Sequence, residues 1–266
     1  MSDGKEQIEN PVELFSREFP LPSRGFLYEG KVPGGIVKLA PMTVKEEKIL
    51  LSSGPNKLQA LNAVIDRCLL TKFQALEDYA VADKFYMLLM IRVLSFPSHI
   101  DYEFDVECSS CRALYSHTVN LRDGLKSLVL NETDKEPFFV TLPICGKTLG
   151  LRYLRGRDEV AIERYGGKQK SGNDLAGDPS YIFRLASYIK TIDGQEVNAI
   201  HATRFVENLL SADSIMITQC VEEHTFGTEL NVESRCPKCQ SANDQVMPFT
   251  IDFFRPRSKI RKEGRL

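Results

Sequence analysis

Two cysteine pairs, ECSSC at residues 107–111 and RCPKC at 235–239, lie 128 residues apart in matching surroundings. No other feature constrains the chain as much, because a CxxC turn supplies two sulfurs on one side and a closed tetrahedral metal site needs four ligands. Laying residue n on residue n+128 brings Cys108 onto Cys236 and Cys111 onto Cys239 without a gap. The flanks agree as well: Tyr102 falls on Leu230, Phe104 on Val232, Val119 on Met247 and Leu121 on Phe249. Upstream, Leu88, Leu89 and Val93 fall on Met216, Ile217 and Val221, which predicts a helix in the same phase before each pair. Alternation on both sides of each pair predicts two short strands joined at a cysteine-bearing turn.

A coarser echo lies further back, where Gly30-Lys31 and Gly146-Lys147 each mark a hairpin before the chain turns helical. The expected fold class is therefore α+β, with two pseudo-repeated halves of β-hairpin, helices and zinc-knuckle hairpin, joined by a split four-cysteine zinc ribbon. Two copies are too few for a solenoid, so the halves are expected to pack as a pseudo-twofold pair. The expected divisions are a mobile N-terminal arm at 1–18, a first repeat half at 19–122, a second at 123–254 and a basic C-terminal tail at 255–266.

Within the halves, Thr43 with Glu46 three residues later forms a capping box and predicts a helix over 43–52, ended by Gly54-Pro55. Helical spacing predicts further helices over 56–70 and 78–95, the latter carrying FYMLLMIRVL, apolar on nearly every side and so the expected centre of a bundle. In the second half PFFVTLPICGKTLGLRYL reads as a hairpin turning at Gly146-Lys147, followed by helices over 157–165, 180–191, 199–210 and 212–223. The segment GGKQKSGNDLAGDPS at 166–180 is a loop; it lacks the GxxxxGK[ST] spacing of a phosphate loop and follows no strand.

The metal ligands expected from spacing are Cys108, Cys111, Cys236 and Cys239, holding one structural zinc between the halves. Metal binding coupled to folding would contribute on the order of 10 kcal/mol. With every position filled by thiolate, such a zinc leaves no open site for Lewis-acid chemistry. Three readings compete. A thiol oxidoreductase wants its CxxC at a helix N-terminus, where the thiol pKa falls, and these pairs sit between strands. Two separate disulfides are disfavoured in a reducing compartment. Separate sites completed by other groups would need a second ligand pair, and His99, His117, His201 and His224 lack that spacing. The single cysteines Cys68, Cys145 and Cys220 read as buried thiols, and the acidic pairs Glu46-Glu47 and Glu222-Glu223 as solvated helix faces. No Ser/His/Asp arrangement or HExxH marks an active site, so no catalytic residue or organic cofactor is expected and the protein reads as a non-enzyme.

The formal net charge of -2 gives no global attraction to phosphate backbones. Basic charge gathers only in the tail FFRPRSKIRKEGRL, which motivates an alternative function as a nucleic-acid-binding zinc-ribbon protein. No apolar run reaches the roughly 18 residues of a spanning helix, and the start lacks a signal-peptide pattern, so a cytosolic protein without membrane insertion is expected.

Taken together, FPLPSRGFLY, LAPMTVKEEKILL, DYAVADKFYMLLMIRVLSF leading into YEFDVECSSC, and CPKC followed by FTIDFFRP resemble the baseplate hub-assembly family of T-even-type contractile-tailed bacteriophages. The resemblance spans Phe19 to Pro256. It implies a non-enzymatic virus protein needed to build the central hub of the tail baseplate, as a component or as an assembly factor. Its implied partners are other phage tail and baseplate hub proteins, met in the host cytoplasm during assembly or in the virion tail baseplate. The family defines no catalytic residues to carry over, so the zinc ligands rest on spacing alone.

Overall fold

The computed structural model describes residues 11–52, 54, 56–169, 178 and 180–254. The basic tail and most of the 166–180 loop therefore lie outside the described residues.

The chain opens with a short helix, α1 (Pro11–Phe15), and a strand, β1 (Arg17–Pro20), paired antiparallel with β2 (Ile36–Leu39). Part of the expected N-terminal arm is thus regular structure; residues 1–10 are outside the described set. The connection between the strands folds tightly on itself. At Gly35, with φ +66°, an added Cβ would lie 2.2 Å from the Arg24 carbonyl carbon, so the turn closes only on glycine.

Helix α2 (Val44–Ser52) starts at the expected box: a Glu46 carboxylate oxygen accepts the Thr43 backbone N–H at 2.9 Å and its hydroxyl at 2.5 Å. A cap of this kind is worth about 1 kcal/mol. Glu46 is buried, contrary to the expectation of a solvated face, because the carboxylate folds back over the helix start and meets Arg67 at 3.5 Å. Next come α3 (Lys57–Cys68) and α4 (Val81–Ser95); α4 is central as expected, but it packs against strands, β2 among them, as well as against α3, so its surroundings are mixed and not those of a helix bundle. Beside Met87, Leu88, Leu89, Ile91 and Val93, however, α4 also buries Asp83, Lys84 and Arg92. A hairpin of β3 (Asp101–Glu107) and β4 (Leu114–Asn120) follows, then β5 (Ser127–Leu128).

The second stretch builds a four-stranded antiparallel sheet in the order β6 (Phe138–Thr141), β7 (Thr148–Leu151), β8 (Ile189–Ile192) and β9 (Gln195–Glu196). Between β7 and β8 lie α5 (Gly156–Gln169) and α6 (Tyr181–Ser187). The helix expected over 180–191 stops early because IKTI alternates between buried and half-buried positions and runs into Asp193-Gly194. Both turn residues have positive φ, 48° and 79°, the primed geometry that closes a two-residue hairpin. Cys145 is exposed rather than buried, since it sits in the β6–β7 turn and not in a strand. The chain continues through α7 (Ala199–Glu207), α8 (Ser211–Glu223) and β10 (Gly227–Thr228), which pairs with β5, to the hairpin of β11 (Asn231–Arg235) and β12 (Ala242–Val246).

The described residues form two buried apolar clusters. One contains Phe138, Leu149, Leu151, Leu185, Ile189, Val206 and Ile217 under the four-stranded sheet. The other centres on α4 and takes in Tyr102, Phe104 and Val119 of the first cysteine hairpin. Val232, Met247, Phe253 and Phe254 from the chain's end join this same cluster, so the second cysteine hairpin returns to pack beside the first.

Candidate metal centre

The two hairpins share one register. Glu103↔Thr118 through Glu107↔Leu114 in the first correspond, at the offset of 128, to Asn231↔Val246 through Arg235↔Ala242 in the second. Their turns match too. Cys108 N–H donates to Ala113 and Cys236 N–H to Ser241, both at 3.0 Å, while Arg112 and Gln240 donate back to the carbonyls of Cys108 and Cys236 at 3.0 and 2.9 Å. Arg112 and Gln240 sit in the left-handed region, at φ 57° and 61°. For residues with a Cβ this costs about 1 kcal/mol each, and it bends each turn so that both of its sulfurs face the other hairpin.

The four Sγ atoms of Cys108, Cys111, Cys236 and Cys239 all lie within 4.8 Å of one another. The closest approaches run between the hairpins, Cys108 to Cys239 at 3.6 Å and Cys111 to Cys236 at 3.7 Å. A tetrahedral zinc with Zn–S bonds of about 2.3 Å needs sulfurs about 3.8 Å apart, whereas a disulfide needs about 2.05 Å. The donor set fits a tetrahedral thiophilic cation in number, type and spacing. Cys108 and Cys236 are buried, Cys111 is half-buried and Cys239 is exposed.

The surroundings favour thiolate unevenly. The Ser241 hydroxyl, 3.3 Å from Cys108 and 2.9 Å from Cys239, is the main group pulling both thiols down, Cys108 to about 5 with help from the Cys111 backbone N–H. Cys111 is pushed the other way, to about 11: against the pull of the Ala113 backbone, burial and the three neighbouring sulfurs hold its proton on. Four sulfurs this close cannot all ionise unaided, and a bound dication is the charge that would release the remaining protons. Around them, Asn243 Oδ1 accepts the Ser109 backbone N–H at 2.9 Å and the Ser109 hydroxyl at 2.8 Å, and Tyr115 and Ser234 hydroxyls meet at 2.7 Å. Each of these bonds joins one hairpin to the other.

A family model described as T4 bacteriophage base plate protein matches residues 24–255. The chain belongs to this baseplate family. No curated protein matches it, and no solved structure does. Membership makes the protein a structural protein of the phage baseplate, which accords with the sequence expectation of a non-enzymatic role. No helix among the described residues of this baseplate protein is long and apolar enough to cross a membrane.

The histidines considered as further ligands stand elsewhere. His117 packs edge-on against Phe104, His224 stacks on Phe138 with centroids 4.3 Å apart, and His201 lies in the first turn of α7. Ser109, Ser241 and Asn243 are the groups of the centre that sequence reasoning passed over. Their only signal was small hydrogen-bonding residues within or just after the CxxC turns, too common to single out without the fold.

Proposed function

We propose that this baseplate protein acts in building the central hub of the tail baseplate, and that one structural zinc on Cys108, Cys111, Cys236 and Cys239 stabilises it. The observation that carries the zinc reading is the convergence of four sulfurs from two turns 128 residues apart. All four positions would be thiolate, so the ion would act as a staple and not as a catalyst. The hub assignment rests on the resemblance of the quoted segments together with family membership.

The proposal includes a duplicated architecture, halves at 19–122 and 123–254, in which each half contributes one knuckle. Equal hairpin registers and equal turn bonds support it. On this reading the second knuckle crosses to the core of the first half, and the zinc locks the crossing. The partners are other proteins of the tail and baseplate hub, met in the host cytoplasm during assembly. The alternative of nucleic-acid binding rests on the basic tail, which lies outside the described residues, and no observation in the fold favours it.

The test is a pull-down of the tagged protein from infected cells, set beside the protein composition of purified particles and the metal content of the protein. Co-purification with hub proteins and one zinc per chain are expected. Recovery with nucleic acid in place of tail proteins, lost on deleting residues 255–266, would turn the reading to the alternative.

A further inference from the structure

Among the described residues β1 has a strand on one side only, and its other edge borders a groove of about 830 Å³. One wall is the continuous run from Arg17 to Pro22, less Ser23 beyond it; the floor is one face of α4, formed by Tyr86, Met90, Val93 and Leu94 at helical spacing. Leu21 N–H donates to Gly35 at 2.8 Å, which turns odd-numbered backbone groups of β1 toward β2. By the alternation of an antiparallel ladder, the groups of Glu18 and Pro20 then face the groove. Glu18 offers a donor and an acceptor there, and Pro20 a carbonyl. Phe15 and Val129 at the groove's mouth are exposed at 52% and 41%, beside the exposed Leu14 and Leu128.

The charge around this apolar trough is one-sided. Arg17, Arg24 and Arg122 line it against the single carboxylate of Glu18, and among the described residues none of these arginines forms an ion pair with a carboxylate. An open strand edge recruits an extended segment through main-chain bonds, and the side chains beside it select which one. We propose that the groove receives an extended segment of another protein, with alternating apolar and acidic side chains, added as a strand along β1. Apolar side chains on one face of that segment would lie on Met90 and Val93, and carboxylates on the other would meet the arginines. The site is remote in kind from the cysteine centre and does not depend on a metal.

The experiment uses the full chain and a short fluorescent peptide alternating leucine and glutamate, with a leucine–lysine peptide as its counterpart. Saturable binding of the acidic peptide is expected, weakened by salt, together with slowed hydrogen exchange at the Glu18 amide. Arg122→Glu should weaken it by about tenfold or more, and Val129→Asp should weaken it as well. Ile215→Asp, on the exposed side of α8, should leave it unchanged; thermal unfolding of each variant checks that the fold is kept. Equal binding of the two peptides, indifference to Arg122→Glu, or an unprotected Glu18 amide in the complex each overturns the proposal. So does a dimer of the chain alone that the peptide dissociates, which would make a second copy the occupant.

Discussion

Asp83 and Asp213 each hold the third position of the helix that precedes a cysteine hairpin, and each accepts two hydrogen bonds from an upstream turn. Asp83 binds the Ser23 N–H at 3.0 Å and the Tyr28 hydroxyl. Asp213 binds the N–H groups of Ile144 and Cys145 at 2.8 and 3.1 Å. Both carboxylates are buried, and both fasten a β-turn region onto the helix that leads to a cysteine hairpin. The two should nonetheless differ in worth. Asp83→Ala leaves a buried donor pair without an acceptor and should cost about 2–4 kcal/mol; Asp213→Ala frees N–H groups in an exposed turn that water can reach, and should cost about 1–2 kcal/mol. Urea unfolding midpoints of the two variants check this, and equal or reversed costs would count against it.

Asp83 should also make stability depend on pH. Burial raises its carboxyl above the ordinary value, against the hydrogen bonds from Ser23 and Tyr28. The folded chain then holds the proton more tightly than the unfolded chain. That contribution is complete below the unfolded value of about 3.9 and is lost as pH rises through the raised folded value. Asp83→Asn should flatten the decline of stability over that window. Parallel pH profiles for the two proteins would show that another group is responsible.

If the four cysteines share one ion, Cys108→Ser and Cys236→Ser should each release the metal and destabilise the protein to a similar extent. Metal content after dialysis and thermal unfolding with and without a chelator provide the measurement. One variant keeping its full zinc complement while the other loses it would mean two independent sites.

Asn243 joins the two hairpins without being a ligand. Asn243→Ala removes the acceptor for the Ser109 N–H and hydroxyl, and with it the orientation of the Cys108 turn. Loss of an outer partner of this kind costs about tenfold in metal affinity, readable by competition with a zinc-binding dye. An unchanged affinity would reduce the Ser109–Asn243 bridge to a purely structural contact.

Arg92 ties the end of the described chain to its centre. Fully buried on α4, it donates through Nε to the Phe253 carbonyl at 2.6 Å and through a guanidinium NH2 to the His99 carbonyl at 2.9 Å, while lying 4.7 Å from the Phe96 ring centroid. Arg92→Met keeps much of the volume but strands two carbonyls, and should cost about 3 kcal/mol. It should also speed proteolytic cleavage near residue 250, where the chain is held by this contact. A variant as stable and as protease-resistant as the parent would refute that role.

Much of this was legible in the residues themselves. Helical spacing marked α3, α4 and α8, and alternation around each CxxC marked the hairpin strands, because such signals arise from neighbours within one turn or one pleat. Thr43 with Glu46 gave a helix start for the same local reason. The spacing of the two CxxC pairs named the four sulfurs, and the fold brings those four together. Where reading failed, a distant partner had decided the outcome. Ile189–Ile192 left a helix for a strand because β7 offered an edge and Asp193-Gly194 a turn. Glu46 is buried by the geometry of its own cap and by Arg67, which comes from the next helix.

The sequence by itself thus determined the local elements and the identity of the sulfur cluster, since both are written in short spacings and in a register repeated after 128 residues. Only the tertiary structure decided that the second hairpin packs into the core of the first, that Asp83 and Arg92 are buried on an apolar helix, and that β1, among the described residues, keeps an open edge beside a basic rim. Those depend on which surfaces meet after the chain has closed long loops, and no pattern within a single segment encodes its partner across the core.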